Sequence, residues 1–316
     1  MNPDVMIPKP GPVTPRVAAP VTRTVDVVVC TFRRPHVVET LTTLDEQELT
    51  PGTEMRIIVI DNDTAPTAQA AVLGKAEEMR FPVTYFHAPG PNISLARNAG
   101  LDMADADLVA FIDDDCLAER RWLAALVARL ETCDVDAVFG PSRAVFGATA
   151  PAWMREQDHH SNVPVRRGGE VCTGHTCNAL LRWRGTPWRG ERFDLARGRS
   201  GGEDTEFFFR LRRRGARFEI AEAALVHEKV TEDRQSLAWL RRRKFRMGQS
   251  YASSAEGIPA QAALAVTALT KAAYCHLRAS MGRNAGARAF WVLRGALHAG
   301  VVAGCFSKRS LTIYGS

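Results

Sequence analysis

Residues 107–117 read Asp-Leu-Val-Ala-Phe-Ile-Asp-Asp-Asp-Cys-Leu, so an apolar run from Leu108 to Ile112 ends in three consecutive carboxylates. Such a run predicts a strand that is buried on both faces. The acidic triplet that follows, residues 113–115, brings together like charges that repel one another and lose hydration. Folding alone does not require this arrangement, so the pattern indicates that a cation binds there.

The ligand chemistry narrows the kind of cation. Carboxylate oxygens suit Mg²⁺ or Mn²⁺, which bind one or two carboxylates and complete their coordination with water and substrate phosphates. The acidic triplet therefore predicts a divalent metal that holds a phosphate-containing substrate. The alternative is a solvated turn after the strand, because aspartate is common in turns.

Short apolar segments alternate with helical ones before the acidic triplet. Strands are predicted at residues 25–31, 56–60, 83–87 and 108–112, and helices at 35–49, 67–80 and 94–103. This alternation predicts an α/β fold in which helices flank a mainly parallel sheet. Ligands of such sheets bind beyond the carboxyl ends of the strands, where Thr31, Asp61 and Asp113 lie.

Composition is that of an ordinary globular protein, with 46% hydrophobic and 24% charged residues among 316. The net charge of +6 favours an anionic partner, such as a nucleotide or lipid head group. Seven cysteines without a CxxC pair fit neither a zinc site nor a disulfide framework and favour a cytoplasmic setting. Residues 1–24 contain six prolines and no apolar signal region, so we expect a disordered lead-in and no export.

Five segments occur in an order and at a spacing that resembles family-2 glycosyltransferases of the GT-A fold. They are VVVCTFRR at 27–34, VIDN at 59–62, SLARNAG at 94–100, FIDDD at 111–115 and GEDTEF at 202–207. The resemblance covers about residues 25–230. It implies a nucleotide-sugar donor, usually a UDP-sugar, together with a divalent metal and inversion at the anomeric carbon.

The resemblance also implies roles for residues of the first half of the chain. Thr31 and Arg33 would lie beside the nucleotide, and Asp61 would accept hydrogen bonds from the uracil or its ribose. Arg97 would contact phosphate, with Asn98 beside it on the same helix. The alternative for Asp61 is a strand-end turn or a helix cap. For Arg97 the alternative is a surface ion pair, and for Asn98 it is an ordinary helical asparagine.

Within the acidic triplet, the resemblance implies that Asp113 faces the ribose or sugar and that Asp115 ligates the metal. Asp114 is able to replace either one, because the sequence does not fix the register. His227 follows a strand predicted at 220–226 and is expected to be a further metal ligand or a diphosphate contact. A structural histidine is the alternative.

Sugar transfer also needs a base, because the acceptor hydroxyl loses its proton as it attacks the anomeric carbon. Asp204 is the predicted base, since it follows two glycines and precedes an amphipathic helix predicted at 205–213. A helix cap is the alternative for this residue. Glu203 is expected to orient the acceptor, and Asn178 to lie beneath it in a segment that resembles the acceptor site of the family.

The last part of the chain is basic and apolar. A cationic run at 241–246 precedes two Ala-rich segments, at 258–277 and 289–306, which are interrupted by Lys271 and Arg294. Neither segment is predicted to span a membrane. Basic residues beside amphipathic helices favour peripheral contact with the anionic inner face of the cytoplasmic membrane, and packing against the catalytic domain or a second subunit is the alternative.

We therefore predict a GT-A catalytic domain at residues 25–233 and a helical extension at 234–316. The catalytic domain divides into a nucleotide-binding half, 25–116, and an acceptor-binding half, 117–233. The predicted activity is metal-dependent, inverting transfer of a sugar to a saccharide or lipid-linked acceptor in cell-surface polysaccharide synthesis.

Two alternatives to this function remain. One is a sugar-nucleotide nucleotidyltransferase, although the Gly-rich loop that such enzymes carry after the first strand is missing. The other is a protein that binds nucleic acid without catalysis. No recognition motif supports it, so no nucleic-acid partner is expected.

Overall fold

Strand β1 (Arg23–Thr31) lies inside the sheet and is buried from Val25 to Val29. The structure is a computed structural model, which describes residues 23–34, 36–199, 201–252, 255 and 257–306. The predicted lead-in at 1–24 therefore lies almost entirely outside the described residues. The remaining strands are β2 (Thr53–Asp61), β3 (Val83–His87), β4 (Leu108–Asp113), β5 (Cys116–Ala118), β6 (Ala137–Phe139), β7 (Ser142–Phe146), β8 (Arg166–Arg167), β9 (Glu170–Val171), β10 (Asn178–Arg182), β11 (Phe218–Ile220) and β12 (Val226–Val230).

Helices connect these strands and close the C-terminal end. They are α1 (Val37–Asp45), α2 (Gln69–Ala76), α3 (Ile93–Met103), α4 (Trp122–Thr132), α5 (Ala152–Gln157), α6 (Glu203–Arg213), α7 (Leu237–Ala252), α8 (Gly257–Ser280) and α9 (Ala285–Phe306). The four predicted strands before the acidic triplet are confirmed. Helices α1 and α2 end earlier than predicted.

Seven strands form the main sheet, in the order β11-β6-β10-β4-β1-β2-β3. Strands β1 to β4 run parallel, and β10 is antiparallel to both of its neighbours. The predicted α/β fold with a mainly parallel sheet is confirmed. The chain moves outward from β1 to β3 and then returns to place β4 on the other side of β1. This reversal opens a crevice at the carboxyl ends of β1 and β4, where such folds bind ligands.

Alternate residues of β1 enter separate cores on the two faces of the sheet, because successive side chains of a strand point in opposite directions. Val27 packs with Leu41 and Trp122 on one face, whereas Val28 belongs to the core on the other face. On that second face, helix α3 approaches β1 closely, and a Cβ at Gly100 would overlap the side chain of Val28.

The strand predicted at 220–226 is wrong. The segment divides into the end of β11 and the start of β12, with a turn between them in which the amide of Ala224 donates to the carbonyl of Ala221 at 3.0 Å. Glu222 is exposed in this turn. As a result, His227 lies within β12 instead of following a strand. Strand β12 belongs to a smaller sheet, in the order β5-β12-β7.

Helices α7 and α9 pack closely because both contribute glycines to their contact. A Cβ at Gly248 would overlap the carbonyl of Leu297, and one at Gly300 would overlap the carbonyl of Phe245. Trp239 and Leu293 join these helices to α5 in a small apolar cluster. Within the described residues, α9 is the one helix whose length and hydropathy would allow it to cross a membrane, and 22% of its most apolar window is buried.

Candidate active site

A cavity of about 760 Å³ lies at the carboxyl ends of β1 and β4 and extends to helices α6 to α9. Its lining combines the acidic triplet with basic and aromatic residues from the C-terminal helices, among them Arg246 and Tyr251. Seven of the predicted site residues line the cavity: Thr31, Arg97, Asp113, Asp114, Asp115, Glu203 and Asp204.

The middle residue of the acidic triplet turns inward. Asp114 is buried, and its carboxylate accepts hydrogen bonds from Thr31 Oγ1 at 2.8 Å and Arg34 Nη1 at 3.0 Å. Its backbone carbonyl accepts from Thr40 Oγ1 at 2.9 Å. Burial raises the pKa of Asp114 to about 7, although the Arg34 guanidinium opposes this shift. These contacts leave Asp113 and Asp115 as the outer pair.

The outer pair contacts cations from distant parts of the chain. Asp113 lies 3.6 Å from Arg97, whereas Asp115 pairs with Arg34 and lies 3.7 Å from Arg234. Burial raises the pKa of Asp113, and the charge of Asp115 adds to this shift while Arg97 opposes it. This side of the cavity thus concentrates carboxylates whose ionised forms disfavour one another.

Glu228 on β12 completes this acidic group and was not predicted. It lies 3.0 Å from Arg234, and burial followed by the charge of Asp115 raises its pKa to about 7. His227, the residue singled out instead, does not line the cavity and lies 3.2 Å from Glu119. Neighbouring residues of a strand face opposite sides, so the position of β12 in the small sheet decides which one reaches the cavity. The alternation of side chains between the two faces of a strand at 226–230 was the signal in the sequence that could have predicted Glu228.

The acidic group has the chemistry to hold a divalent cation. Asp113, Asp115 and Glu228 supply oxygen donors of the kind that Mg²⁺ and Mn²⁺ prefer. A bound cation would relieve the mutual repulsion of these carboxylates and the raised pKa values of Asp113 and Glu228. Within the described ranges, no three His, Cys, Asp or Glu side chains converge as a ready-made metal site. Such a cation would therefore need ligands from water or substrate.

A buried ion pair joins the two halves of the cavity. Arg97 on α3 pairs with Glu203 at the start of α6, and both side chains are more than nine-tenths buried. The turn before Glu203 passes close to α7, because a Cβ at Gly202 would overlap Cβ and Oγ of Ser250. The φ angles of Gly201 and Gly202 are 74° and 79°, in the left-handed region that favours glycine.

Asp204 and His175 form a second polar pair in the cavity. His175 Nδ1 lies 3.0 Å from Asp204 Oδ2, and Asp204 Oδ1 accepts from the amide of Thr205 at 2.6 Å. Burial opposes ionisation of Asp204. Even so, the charge and hydrogen bond of His175, the charge of Arg97 and the Thr205 amide hold the pKa of Asp204 well below its usual range. His175 was not among the residues predicted from the sequence to form the site.

Two residues predicted beside the nucleotide make other contacts. Arg33 is largely exposed, and its Nε donates to Asp63 at 3.0 Å. Asp61 is fully buried and accepts hydrogen bonds from the amides of Asp63 and Ala68 and from Tyr85 Oη at 2.8 Å. Neither residue lines the cavity. Asp61 therefore organises the loop before α2, as in the helix-cap alternative.

Two predicted asparagines also lie outside the cavity lining. Asn98 exchanges two hydrogen bonds with the backbone of Phe193, at 2.9 and 2.7 Å. Asn178 is buried, accepts from Trp122 Nε1 at 2.8 Å and donates to the carbonyls of Pro141 and Ala224. Both amides thereby tie segments that are distant in the sequence, and their hydrogen-bonding groups are used in doing so.

The sequence matches two family descriptions. Glycosyl transferase family 2 matches residues 26–185, and Glycosyl transferase family group 2 matches residues 108–305. The chain is also 43% identical to the Succinoglycan biosynthesis protein ExoM of Rhizobium meliloti (strain 1021), over 297 residues that cover 92% of this chain and 96% of that protein. A shorter match, 32% identical over 133 residues, is to the Glucosyl-dolichyl phosphate glucuronosyltransferase of Haloferax volcanii; it covers 41% of this chain and 39% of that one.

Solved structures share the fold. The mannosyltransferase PcManGT from Pyrobaculum calidifontis, in complex with GDP-Man and Mn²⁺, superimposes with a TM-score of 0.63 at 20% identity, covering 95% of this chain and 92% of that one. TarS of S. aureus gives a TM-score of 0.51 at 16% identity, covering 73% of this chain and 42% of TarS. At these identities the likeness shows the fold alone.

Proposed function

Because the chain belongs to glycosyl transferase family 2, we propose that it transfers a sugar from a nucleotide-sugar, with a UDP-sugar as the expected donor. The acceptor is a hydroxyl of a saccharide or lipid-linked saccharide, in the synthesis of an exopolysaccharide. The similarity to a protein named for succinoglycan biosynthesis, over almost the whole of both chains, supports that pathway class. Family membership also favours sugar transfer over the nucleotidyltransferase and nucleic-acid-binding alternatives.

The observation that carries the proposal is the acidic group at the reversal point of the sheet. Asp113 and Asp115 lie at the cavity with Glu228, while Asp114 is hydrogen-bonded to Thr31. A divalent cation bound to these oxygens would neutralise charge on the departing nucleoside diphosphate. Burial makes this effect larger, because charges interact more strongly away from water.

The basic residues of the cavity fit a role in binding the diphosphate. Arg34 and Arg234 pair with the acidic group, and Arg97 contacts Asp113 from α3. Planar guanidinium groups suit phosphate oxygens, and each of these three can contact donor and carboxylate together. Glu203 holds Arg97, so its proposed effect on the substrate is exerted through that arginine.

We also infer peripheral association with an anionic membrane. Helix α8 exposes an apolar stripe at helical spacing, formed by Ile258, Ala262, Val266, Leu269, Ala273, Leu277 and, just after the helix, Met281. Helices α7 to α9 contain nine lysines and arginines and no acidic residue. An apolar stripe with basic surroundings suits the interface of an anionic bilayer, where a lipid-linked acceptor would be found.

Calorimetric titration of the purified protein tests the donor site. UDP and GDP are titrated with Mn²⁺, with Mg²⁺ and with chelator, on the wild type and on Asp115→Ala. We expect metal-dependent binding of UDP to the wild type and its loss in the variant. Asp102→Ala removes a carboxylate of an exposed ion pair with Arg192 and serves as the matched control.

The titration also decides between donors. Binding of GDP in preference to UDP would correct the donor base while keeping the site. Absence of binding of either nucleotide with any metal, by a folded wild type, would contradict the assignment of the acidic group as a donor site.

A further inference from the structure

Part of the cavity is enclosed by helices α7, α8 and α9. Helix α9 packs against both of the others, so the three helices together form one side of the cavity. Six of their cavity-lining residues make up a helical wall that combines two ammonium groups with four apolar side chains: Lys244, Lys271, Leu264, Ala268, Leu297 and Val301. The acidic group comes from the end of β4 and from β12 instead, so the proposed donor site gives this wall no role.

The two lysines of the helical wall lie beside the same turn of α9. Lys244 directly precedes Phe245, whose carbonyl is closely approached by Gly300 of α9. Burial, followed by the charge of Lys271, lowers the pKa of His298, so Lys271 lies near this turn as well. Because the two lysines come from α7 and α8, they approach α9 from two different helices. The wall therefore presents two positive charges at one level of the cavity.

The positive charge of Lys244 has no direct counter-ion. Among the described residues, no hydrogen bond or ion pair of its Nζ is found, and burial followed by the charge of Arg243 lowers its pKa to about 8, although Asp158 opposes this shift. Arg243 itself is held by other groups, since it donates to the carbonyl of His160 at 3.3 Å and stacks on Trp239. A partly buried ammonium beside another cation is stabilised by an anion. The electrostatics of the wall therefore favour an anionic ligand.

Helix α8 connects the helical wall to the proposed membrane contact. Leu264, Ala268 and Lys271 recur at intervals of four and three residues, so they occupy one face of this helix. The apolar stripe, which includes Leu269 and Ala273, occupies the opposite face. An interfacial helix buries its apolar face in the bilayer and leaves the opposite face at the level of the lipid head groups. The wall therefore lies where lipid phosphates would be found.

We propose that the helical wall binds the phosphate-linked end of a lipid-borne acceptor. Lys244 and Lys271 contact its phosphate, and the four apolar side chains of the wall contact the adjoining hydrocarbon chain. The inference rests on the proposed glycosyl transfer and deepens it, because it assigns the acceptor to saccharides that are linked to a lipid through phosphate. The saccharide then extends from the wall toward the acidic group, where the donor is proposed to bind.

Calorimetric titration with farnesyl phosphate, a soluble lipid phosphate, tests this site. The protein is first saturated with Mn²⁺ and with the nucleotide that binds in the donor titration, so the donor site is occupied. Mn²⁺ is kept at the same concentration in both solutions. We expect farnesyl phosphate to bind the wild type. Lys244→Gln and Lys271→Gln should each weaken this binding about tenfold or more and leave nucleotide binding unchanged, because each variant loses a charge-assisted contact with phosphate.

Three other ligands identify the chemistry that the wall recognises. Farnesol lacks the charge and inorganic phosphate lacks the chain, so each should bind at least about tenfold more weakly than farnesyl phosphate. Dihexanoyl-phosphatidylglycerol carries the head group of a bilayer lipid. It should also bind more weakly, because its phosphodiester has a single negative charge whereas a phosphate monoester has nearly two.

Arg242→Gln is the matched control, because Arg242 is an exposed base of α7 that does not line the cavity. It should bind farnesyl phosphate as the wild type does. The inference is overturned if the wild type does not bind farnesyl phosphate or if both lysine variants bind it like the wild type. It is also overturned if inorganic phosphate or the phosphatidylglycerol binds as tightly. Failure of the wild type to bind nucleotide would instead contradict the proposed function, so the two failures are distinguishable.

Discussion

Arg97 and Glu203 are 106 positions apart in the chain and form a buried ion pair that joins α3 to α6. The pair connects the half of the molecule that carries the acidic triplet to the half that carries Asp204. Glu203 Oε2 is buried and, among the described residues, has no hydrogen-bond partner. The stability of the cavity therefore depends on Arg97 remaining in place.

The first prediction concerns this pair. Arg97→Met leaves the Glu203 carboxylate buried without its cation and should lower the free energy of unfolding by about 3–5 kcal/mol. Arg97→Met with Glu203→Leu should recover most of that loss, as measured by denaturant unfolding. Lys229→Met breaks the exposed pair with Glu39 and should cost at most about 1 kcal/mol. Equal losses in both single variants would contradict the prediction.

The second prediction concerns the contact of α7 with α9. Gly300→Ala would push a methyl group into the carbonyl of Phe245, so it should destabilise the protein by about 1–3 kcal/mol. Gly74→Ala is the matched control, because a Cβ there meets nothing within 4 Å. Alanine is the better helix former, so this control should gain up to about 1 kcal/mol. Thermal unfolding of both variants measures the difference, and stabilisation by Gly300→Ala would refute the close packing.

The third prediction concerns acid stability. His160 is buried and stacks on Trp239 with ring centroids 5.4 Å apart; its Nε2 lies 3.1 Å from the carbonyl of Arg234. Burial and nearby arginine charges lower its pKa to about 4. The unfolded chain takes up this proton first as the pH falls. The contribution of the uncharged His160 side chain to the free energy of unfolding is therefore complete above about pH 6.5. It is lost progressively as the pH falls toward 4.

For His160 this loss amounts to about 2 kcal/mol between pH 7.5 and pH 5. His160→Phe keeps a ring against Trp239 and should reduce the decline in unfolding free energy over that range, whereas the exposed-site variant His276→Ala should not. A decline as steep in His160→Phe as in the wild type would exclude His160 as its source. His159, whose pKa burial also lowers to about 4, should account for part of the decline that remains.

The fourth prediction concerns the apolar stripe of α8. Leu269→Glu with Leu277→Glu places charges on the stripe and should weaken sedimentation with phosphatidylglycerol-containing vesicles by at least about tenfold. Leu195→Glu changes a leucine of similar exposure outside α8 and should bind as the wild type does. Vesicle binding by the double variant at the wild-type level would show that the stripe is not the membrane contact.

Local patterns were sufficient for the arrangement of β1 to β4. Apolar runs, helical segments and turn residues lie within a few positions of one another, so each element was predictable by itself, and the alternation of elements indicated the parallel sheet. Asp113 and Asp115 were predictable for the same reason, because a charge cluster directly after a buried strand lies at the carboxyl edge of the sheet. The location of Asp204 at the cavity was predictable from its glycines and the helix that follows.

Tertiary structure decided which polar side chains reach the cavity. Asp61 and Asn178 lie among backbone and side-chain groups that the folded chain brings near, and hydrogen bonding to those groups turns both side chains inward. Strand β12 presents Glu228 instead of His227 to the cavity because its position in the small sheet sets which face is enclosed. The pairing of His175 with Asp204 likewise depends on a loop and a helix start that meet only after folding. The sequence by itself therefore determined the sheet and its acidic edge, whereas non-local hydrogen bonds and strand position selected the residues that line the cavity.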